Sequence, residues 1–419
     1  MPSGINIHDI FQSQPDKFAA LLEDPNQQGR QILVAAKGYS QAFSLTDLDA
    51  LTQWRASLPT VSKHGFGISQ VFYIAYEAVH WLETMPQPRI SPHNNIPILY
   101  IHQPEWSLCL DHQQGLIYIA AKQYASLDYL AHMIANVKPH ILKNNAPNLH
   151  QACALKSDYC KHVEKVKAYI RAGDVFQVNI ARFWKMPYLA HQLPELYASL
   201  RQKNPAPFSS FFRAGALTLV CSSPERLFQI TSDGWLNTRP IAGTRPRGEG
   251  EHDQAFSRAL LLSEKEQAEH IMLVDLERND LGRVCQIASI EVNERMVIER
   301  YATVQHIVSN VRGRLQGGLD IVDVFCALFP GGTITGCPKI RSMEIIHELE
   351  PQARAAYTGT LGYIASDGSC DSNIIIRSFW HENDTLHWAA GAGIVADSVA
   401  EQELEETEHK VKGLLRALY

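Results

Sequence analysis

The sequence predicts an α+β fold, and two observations support this class. Strand-like and long helical segments are interleaved along the chain without the strict β-α-β alternation of a doubly wound sheet. The chain has 419 residues, of which 45% are hydrophobic and 20% charged, and this length is sufficient to bury a large core. We therefore expect layers of sheet with helices packed outside them.

The first region, residues 1–137, combines strand signals with one helix signal. The segments RQILVAAKGYS, NIPILYIHQ and GLIYIAA are short apolar runs typical of strands. In VFYIAYEAVHWLETM the apolar residues recur at helical spacing, which predicts a helix. Residues 138–148, KPHILKNNAPN, are non-periodic and rich in Pro, Asn and Lys, so they are interpreted as a connection.

The second region, residues 155–419, holds most of the remaining signals. A helix is predicted over residues 157–172, because Gly173 follows it at a position where glycine tolerates positive φ. Strands are predicted in LTLVCSS, GWLNTRPI, TGTLGYIA, SNIIIRSFW and TLHWAAGAGIVA. Helices are predicted in FSRALLLSEKEQAEHIMLVDLERNDLG, SMEIIHELE and EQELEETEHKVKGLLRAL.

Composition argues against several classes of partner. The net charge is −6 and the basic residues are spread along the chain, so we expect no nucleic acid partner. No run of about 18 apolar residues and no signal peptide are recognised, which predicts no membrane association and a cytoplasmic protein. The eight cysteines form no CxxC pair, as expected for reduced thiols.

Two acidic pairs are spaced for a metal site. Glu266 and Glu269 are three residues apart in one predicted helix, and Glu403 and Glu406 are three apart in another. Residues at i and i+3 share a helix face, so each pair can present two carboxylates to one point. Mg²⁺ prefers such oxygen ligands. A solvated acidic helix face is the commoner explanation of an isolated pair.

A series of segments resembles the signature blocks of the chorismate-binding enzyme family, in order and spacing, from about residue 174 to 410. The blocks are SPERLFQI, RPIAGTRPRG, EHIMLVDLERNDLGRV, VQHIVSNVRGRL, FPGGTITGCPKIRSMEIIHELEP, YTGTLGY, DSNIIIR and GAGIVADS. Family members include the anthranilate, aminodeoxychorismate, isochorismate and salicylate synthases. The resemblance implies an anthranilate synthase component I-like fold, with antiparallel sheets packed as a sandwich and helices outside.

The resemblance also implies roles for the acidic residues. Glu269 and Glu406 are expected to hold Mg²⁺, with Glu266 and Glu403 as water-bridged partners. The cation would neutralise the ring carboxylate of chorismate, so metal and substrate should bind together. Glu225 resembles the general acid that protonates the departing C4 hydroxyl, which requires a raised pKa. A turn residue after Ser-Pro is the structural alternative.

Further positions match substrate-contacting residues of the family. Tyr357 and Arg377 are expected to bind the enolpyruvyl carboxylate, for which an arginine fork is suited. His306 is a candidate for proton transfer at the ring, with a buried core histidine as the alternative. The remaining expected substrate contacts and electrostatic partners are Thr244, Thr335, Gly391, Ala392, Gly393, Lys339 and Lys410.

Gln177 distinguishes the ammonia-adding from the water-adding members. Isochorismate and salicylate synthases resemble one another in having a lysine there that activates water, and glutamine cannot act as a base. Ammonia is therefore the expected nucleophile. No cysteine lies in a glutaminase-type nucleophile context, so a separate glutamine amidotransferase subunit is the expected partner.

The choice between two ammonia-adding reactions depends on conflicting blocks. Ala242 in PIAGT matches anthranilate synthases, whereas aminodeoxychorismate synthases often carry a lysine there. The blocks GGTITGCPK and DSNIIIR instead resemble aminodeoxychorismate synthases, and we expect Thr335, Ser372 and Asn373 to direct ammonia to C4. The prediction is 4-amino-4-deoxychorismate formation, with anthranilate formation as the alternative and an inactive homologue as a third. Glu277 departs from the family block without removing a proposed catalytic group.

Overall fold

The computed structural model describes residues 6–26, 29–62, 66–88, 96–142, 152–155, 158–248, 250–300 and 304–419. Within these residues the chain forms helices and strands whose bounds follow in chain order. The helices are α1 (Ile7–Ser13), α2 (Ala50–Ala56), α3 (Val79–Leu82), α4 (Ala125–Ala135), α5 (Tyr159–Ala172), α6 (Leu193–Lys203), α7 (Glu251–Leu262), α8 (Glu264–Gly282), α9 (Ile321–Leu328), α10 (Lys339–Leu349) and α11 (Ala400–Leu415).

The strands are β1 (Phe18–Glu23), β2 (Arg30–Ala35), β3 (Gly38–Phe43), β4 (Ile68–Ile74), β5 (Leu99–Pro104), β6 (Trp106–Asp111), β7 (Leu116–Ala121), β8 (Cys153–Ala154), β9 (Gln177–Pro187), β10 (Phe208–Ala214), β11 (Leu217–Ser223), β12 (Arg226–Ile230), β13 (Trp235–Thr238), β14 (Ile241–Pro246), β15 (Glu291–Arg300), β16 (Val304–Arg314), β17 (Gly336–Cys337), β18 (Thr360–Ala365), β19 (Cys370–Ile374), β20 (Ser378–Glu382) and β21 (Thr385–Ile394).

Over the described residues these strands form two antiparallel sheets. The first runs β17-β9-β21-β20-β11-β10-β1-β2-β6-β7, with β8 added on β9. The second runs β14-β16-β13-β12-β19-β18-β4-β5-β3, with β15 added on β16.

The two sheets pack face to face, and helices cover their outer faces. On β2, Ile32 and Val34 belong to the core between the sheets, whereas Leu33 and Ala35 face the helical layer. This alternation is the period of a strand that is buried on both sides. The predicted α+β fold, with antiparallel sheets as a sandwich and helices outside, is confirmed.

Strands from both predicted regions pair within the same sheets. Strand β1 lies between β2 and β10, and β4 lies between β5 and β18. The division into residues 1–137 and 155–419 therefore stays a prediction about sequence blocks. Most of the predicted connection at residues 138–148 lies outside the described residues.

One predicted helix is wrong. The segment VFYIAYEAVHWLETM begins within β4, and only its later part is helical, as a 3₁₀ turn over Tyr76–Ala78 followed by α3. Strand β4 is hydrogen-bonded to a strand on each side and is buried on both faces. A strand of this kind is apolar throughout, so its sequence lacks the alternation that identifies a half-buried strand.

The other helix signals agree with the structure more closely. Helix α5 ends at Gly173, whose φ of 84° is the predicted left-handed cap. The single long helix predicted around FSRALLLSEKEQAEH is two helices, α7 and α8, which meet at Ser263. The hydroxyl of Ser263 caps α8 by accepting from the backbone N–H of Glu266. No helix in the described ranges is both long and apolar enough to cross a bilayer.

Candidate active site

Strand β14 joins the predicted acid to the predicted histidine. The backbone N–H of Ile241 faces the carboxyl of Glu225, and the carbonyl oxygen of Gly243 lies 3.1 Å from Nδ1 of His306. Ala242 lies between these two contacts and is 5% exposed. The position that separates the two ammonia-adding reactions in sequence is therefore between the acid and the histidine in space.

Glu225 has the protonation behaviour that a general acid requires. It lies between β11 and β12 and is 5% exposed. Burial raises the pKa of its carboxyl to about 7, although the hydroxyl of Thr333, the N–H of Ile241 and the charge of Lys410 oppose the rise. A carboxyl with this pKa holds a proton at neutral pH in a substantial fraction of molecules.

His306 is a neutral imidazole at physiological pH. Burial is the main cause that lowers its pKa to about 4, and the charge of Arg377 acts in the same direction. A carbonyl oxygen only accepts hydrogen bonds, so the contact with Gly243 places the ring proton on Nδ1. The lone pair is then on Nε2, which gives the ring a basic nitrogen.

Gln177 connects the start of β9 to the acidic helix α8. Its Nε2 donates to Oε1 of Glu269 over 3.0 Å. Its side chain also lies directly over Gly393 of β21, where a Cβ would approach Nε2 to 2.2 Å. Glycine is required at this position because the amide occupies the space of a side chain.

Asn179 is a site residue that the sequence reasoning missed. It lies two residues after Gln177, on the same face of β9, and is 8% exposed. Its Nδ2 donates to the carbonyl oxygen of Thr333 over 3.4 Å, and its Oδ1 would be 2.3 Å from a Cβ at Gly391. The only sequence signal available was this two-residue spacing from Gln177.

Two buried amide oxygens of these residues, Gln177 Oε1 and Asn179 Oδ1, lack a hydrogen-bond partner in the described part of the chain. An unpaired buried polar atom costs about 1–3 kcal/mol, and proteins retain few of them without a functional reason. These two acceptors are therefore available to a ligand that donates hydrogen bonds.

Arg377 is suited to bind an anion. Its backbone φ of 51° lies in the left-handed region, which non-glycine residues rarely adopt and which often accompanies function. Its Nη1 donates to the carbonyl oxygen of Lys410 over 3.2 Å. In the described part of the chain no carboxylate lies within ion-pair distance of this guanidinium, so its charge is available to a substrate carboxylate.

Tyr357 supplies a neutral hydroxyl beside Gly391 of strand β21. Burial raises its pKa to about 12, and its hydroxyl would be 3.0 Å from a Cβ at Gly391. The charge of Arg377 interacts with it. The GAG sequence of Gly391, Ala392 and Gly393 therefore makes room for the side chains of Tyr357, Asn179 and Gln177, in addition to its expected approach to a substrate anion.

Lys410 links helix α11, which carries Glu403 and Glu406, to strand β21. Its Nζ donates to the carbonyl oxygen of Gly391 over 2.8 Å and lies 2.6 Å from Oε1 of Glu406. Its charge also lowers the pKa of Glu225. The structure thus places Lys410 among the predicted site residues, next to one of the four glutamates, as expected.

The four glutamates do not form a preassembled metal cluster. Glu266 accepts from Nη1 of Arg245 over 3.3 Å, and Glu403 is 8% exposed near Tyr159. Across the described ranges, no three His, Cys, Asp or Glu side chains are grouped closely enough to hold a metal. The carboxylate oxygens have the chemistry that Mg²⁺ requires, but further ligands must come from water or substrate.

Lys339 lies in a different cluster of buried charges. Its Nζ donates to Oδ2 of Asp280 over 2.6 Å and to the carbonyl oxygen of Leu328 over 3.1 Å. Glu277 lies beside this pair, and burial, reinforced by the charge of Asp280, raises its pKa to about 8. Lys339 therefore pairs with Asp280 beside Glu277, and its expected role as an electrostatic partner of substrate and glutamates stays a prediction.

The three residues expected to direct ammonia to C4 each form a side-chain hydrogen bond with a backbone group of the protein. The hydroxyl of Thr335 donates to the carbonyl oxygen of Gly331 over 2.9 Å, and that of Ser372 donates to the carbonyl of Phe228 over 3.3 Å. Asn373 Oδ1 accepts from the N–H of Leu361. Ser372 and Asn373 thus each link neighbouring strands, and their role in directing ammonia to C4 stays a prediction.

A cavity of about 810 Å³ contains none of the predicted catalytic or metal-binding residues, although Pro224 and Ile241, which adjoin Glu225 and Ala242 in the chain, line it. Among the residues that line it are Arg30, Arg226, Arg239, Asp371 and Asn373. Arg226 is paired with Asp371 over 2.8 Å. The side chain of Thr244 lies outside the described part of the structure, although its backbone pairs with His306.

A buried acid, a neutral histidine and an arginine without a carboxylate partner in the described ranges together define a site for acid–base chemistry on an anionic substrate. The profile of the chorismate binding enzyme family matches residues 17–416. The chain therefore belongs to the chorismate-binding enzyme family.

Relatives with two different names show similar sequence identity to this chain. Aminodeoxychorismate synthase component 1 of Bacillus subtilis is 38% identical over 389 residues, which cover 88% of this chain and 82% of that protein. Anthranilate synthase component 1 of Thermus thermophilus is 40% identical over 359 residues, which cover 83% of this chain and 77% of that protein. Identity alone does not separate the two reactions.

The fold is also shared with a solved relative. The crystal structure of anthranilate synthase component I from Streptococcus pneumoniae TIGR4 superposes with a TM-score of 0.83 at 29% identity and covers 92% of both chains. The predicted anthranilate synthase component I-like fold is confirmed by this comparison.

Proposed function

We propose that this chain aminates chorismate with ammonia to give 4-amino-4-deoxychorismate, a precursor of para-aminobenzoate and folate, in the cytoplasm. The observation that carries the chemical part is the raised pKa of Glu225 in a buried site that also holds the neutral His306. Such an arrangement supports protonation of a leaving hydroxyl at neutral pH. It also weighs against an inactive homologue.

The amination conserves atoms and protons. The nitrogen lone pair of ammonia forms a bond to ring carbon C4 while the C4–O bond breaks. Glu225 donates its proton to the departing oxygen, which leaves as water. The substituted nitrogen then returns one proton to the Glu225 carboxylate, so the acid is restored for the next turnover.

Ammonia as the nucleophile is supported by Gln177, because an amide cannot deprotonate water. The name of the Bacillus subtilis relative, component 1, implies a second component for that protein. We extend this to the present chain and propose a glutamine amidotransferase subunit that supplies ammonia.

Mg²⁺ is the proposed cofactor. Glu269 and Glu406 would hold it, and Glu266 and Glu403 would contact it through water. When bound, the cation would neutralise the ring carboxylate of chorismate. The ion pair of Glu406 with Lys410 suggests that this carboxylate changes partner on binding, which fits joint binding of metal and substrate.

The substrate's other carboxylate has a separate proposed site. Arg377 and Tyr357 would bind the enolpyruvyl carboxylate, and the backbone of Gly391 would approach it. The charge of Arg377 has no carboxylate within ion-pair distance in the described residues, and this observation supports the assignment.

Amination at C4 is supported by the TITGCPK and DSNIIIR blocks and by the Bacillus subtilis relative. A second candidate, anthranilate formation, is favoured by Ala242, because alanine at this position cannot form the covalent bond with the ring that a lysine would form. A neutral His306 also suits removal of a ring proton, which anthranilate formation requires.

Product analysis tests the proposal. Purified protein with chorismate, Mg²⁺ and excess ammonium should yield a compound that becomes para-aminobenzoate only after a separate lyase is added. Fluorescent anthranilate without any lyase would contradict amination at C4 and support the second candidate. As an independent check, Ala242→Lys should preserve or raise the para product, whereas it should damage an anthranilate synthase.

A further inference from the structure

We propose that Asn179 and Gln177 bind the ammonia nucleophile through their two side-chain amide oxygens, with Asn179 holding it near the carbon that loses its hydroxyl. This inference rests on the proposed function. It starts from two buried amide oxygens on one strand face that lack hydrogen-bond partners in the described residues.

The orientation of both amides is fixed by their nitrogen atoms. Nε2 of Gln177 donates to a carboxylate oxygen of Glu269, and Nδ2 of Asn179 donates to the backbone carbonyl of Thr333. Carboxylate and carbonyl oxygens only accept, so reversing either amide would place two acceptors against each other. The free positions are therefore acceptors in both residues.

Two acceptors select a ligand that brings hydrogen-bond donors. The carboxylates of chorismate carry only acceptors and would be repelled by these oxygens. Ammonia and ammonium carry three and four N–H groups, which can donate to these two oxygens. Gly391 and Gly393 of strand β21 lack the Cβ atoms that would displace the two amides from this position. The C4 hydroxyl of chorismate is the other donor that could reach an amide oxygen.

The position of Asn179 favours the nucleophile and connects it to C4. Its amide donates to the carbonyl of Thr333, and the hydroxyl of the same threonine lies beside the carboxyl of Glu225. Ammonia bound at Asn179 is thus held close to the acid that protonates the departing C4 hydroxyl. A nucleophile positioned in this way reacts at that carbon with little loss of orientation.

The test separates binding of ammonium from binding of chorismate. Asn179→Leu keeps the approximate size of the side chain but removes its acceptor, and it should raise the KM for ammonium about tenfold while the KM for chorismate stays within about twofold. Asn179→Asp keeps an acceptor oxygen, although its second oxygen faces the carbonyl of Thr333 in place of the Nδ2 donor, so it should raise the KM for ammonium less than Asn179→Leu does. Circular dichroism checks that both variants fold.

Gln31→Met provides a matched control. Gln31 is also a buried amide on a strand, its Nε2 also donates to a glutamate, and its Oε1 also lacks a partner among the described residues, but it is not a site residue. This variant should leave the KM for ammonium unchanged. An equal change in Gln31→Met and Asn179→Leu would overturn the inference.

Two other results would also overturn it. One is a rise in the KM for chorismate alone in Asn179→Leu, which would assign the amide to the C4 hydroxyl. The other is an equal rise of the ammonium KM in Asn179→Leu and Asn179→Asp. The proposed function fails separately: anthranilate as the wild-type product, with the predicted ammonium shift in Asn179→Leu, would reject C4 amination and support the ammonia site.

Discussion

Gln177 donates its side-chain amide to Glu269 over 3.0 Å, so the residue proposed to exclude water as a nucleophile is bonded directly to a predicted magnesium ligand. The contact connects strand β9 to helix α8 across 92 residues of sequence. A change at either residue should therefore affect both the choice of nucleophile and the response to Mg²⁺.

Gln177→Lys should introduce addition of water and hence some isochorismate. A lysine here would lie beside Glu269, whose charge favours the protonated amine, so the lysine should act as a base only when Mg²⁺ neutralises that carboxylate. Product chromatography without ammonium, over a range of Mg²⁺ concentrations, checks this. Aminated product alone from a folded variant would show that position 177 does not control attack by water.

Glu225→Gln should lower kcat by roughly 100- to 10,000-fold, because the amide cannot donate the proton of a general acid. The wild-type pH profile gives a second check. The acid acts in its protonated form and its pKa is raised to about 7, so kcat/KM should fall as pH rises above about 7. A profile that stays flat to pH 9 would remove Glu225 from this role.

Glu269→Gln and Glu406→Gln should each abolish Mg²⁺-dependent turnover while leaving the fold intact, since each removes a metal-binding charge at constant side-chain volume. Glu405→Gln is the control, because Glu405 is exposed on the same helix as Glu406. Activity is measured at limiting Mg²⁺. Near-wild-type turnover in either site variant would show that the metal assignment is wrong.

Glu277→Gln should stabilise the protein at pH 8 but not at pH 4.5. The pKa of Glu277 is raised from 4.5 to about 8 in the fold, so between these values the folded state retains a proton that the unfolded state has lost. Wild-type stability therefore falls as pH rises through this window. The glutamine variant does not lose stability in this way. At pH 8 its free energy of unfolding should therefore exceed that of the wild type by about 2 kcal/mol.

Denaturant unfolding at the two pH values measures the effect of this substitution. Asp275→Asn serves as the control, because Asp275 is exposed on the same helix. An identical unfolding free energy of Glu277→Gln and wild type at pH 8 would mean that burial does not hold a proton on this glutamate.

The parts of the fold that sequence predicted have local causes. The end of α5 was predictable because Gly173 supplies a left-handed cap. Strand β4 was not predictable, because its burial on both faces depends on neighbours β5 and β18, which are distant in sequence. An apolar run carries no period that would distinguish such a strand from a buried helix.

In the candidate site, too, some residues could be identified from local sequence and others depend on partners that are distant in the chain. Glu225 and His306 were identified from sequence blocks, and the structure gives each a shifted pKa from burial. Asn179 was missed because its role depends on Thr333, which is 154 residues away. The proposed role of Ser372 stays a prediction for a related reason: a sequence block does not show whether a hydroxyl faces the substrate or bonds to the next strand.

Labelled ammonium tests the central claim most directly. The protein is incubated with chorismate, Mg²⁺ and ¹⁵N-ammonium, and nuclear magnetic resonance identifies the ring carbon that bears the label. The account predicts nitrogen on C4, with the enolpyruvyl group retained. Nitrogen on C2, with release of pyruvate, would contradict it.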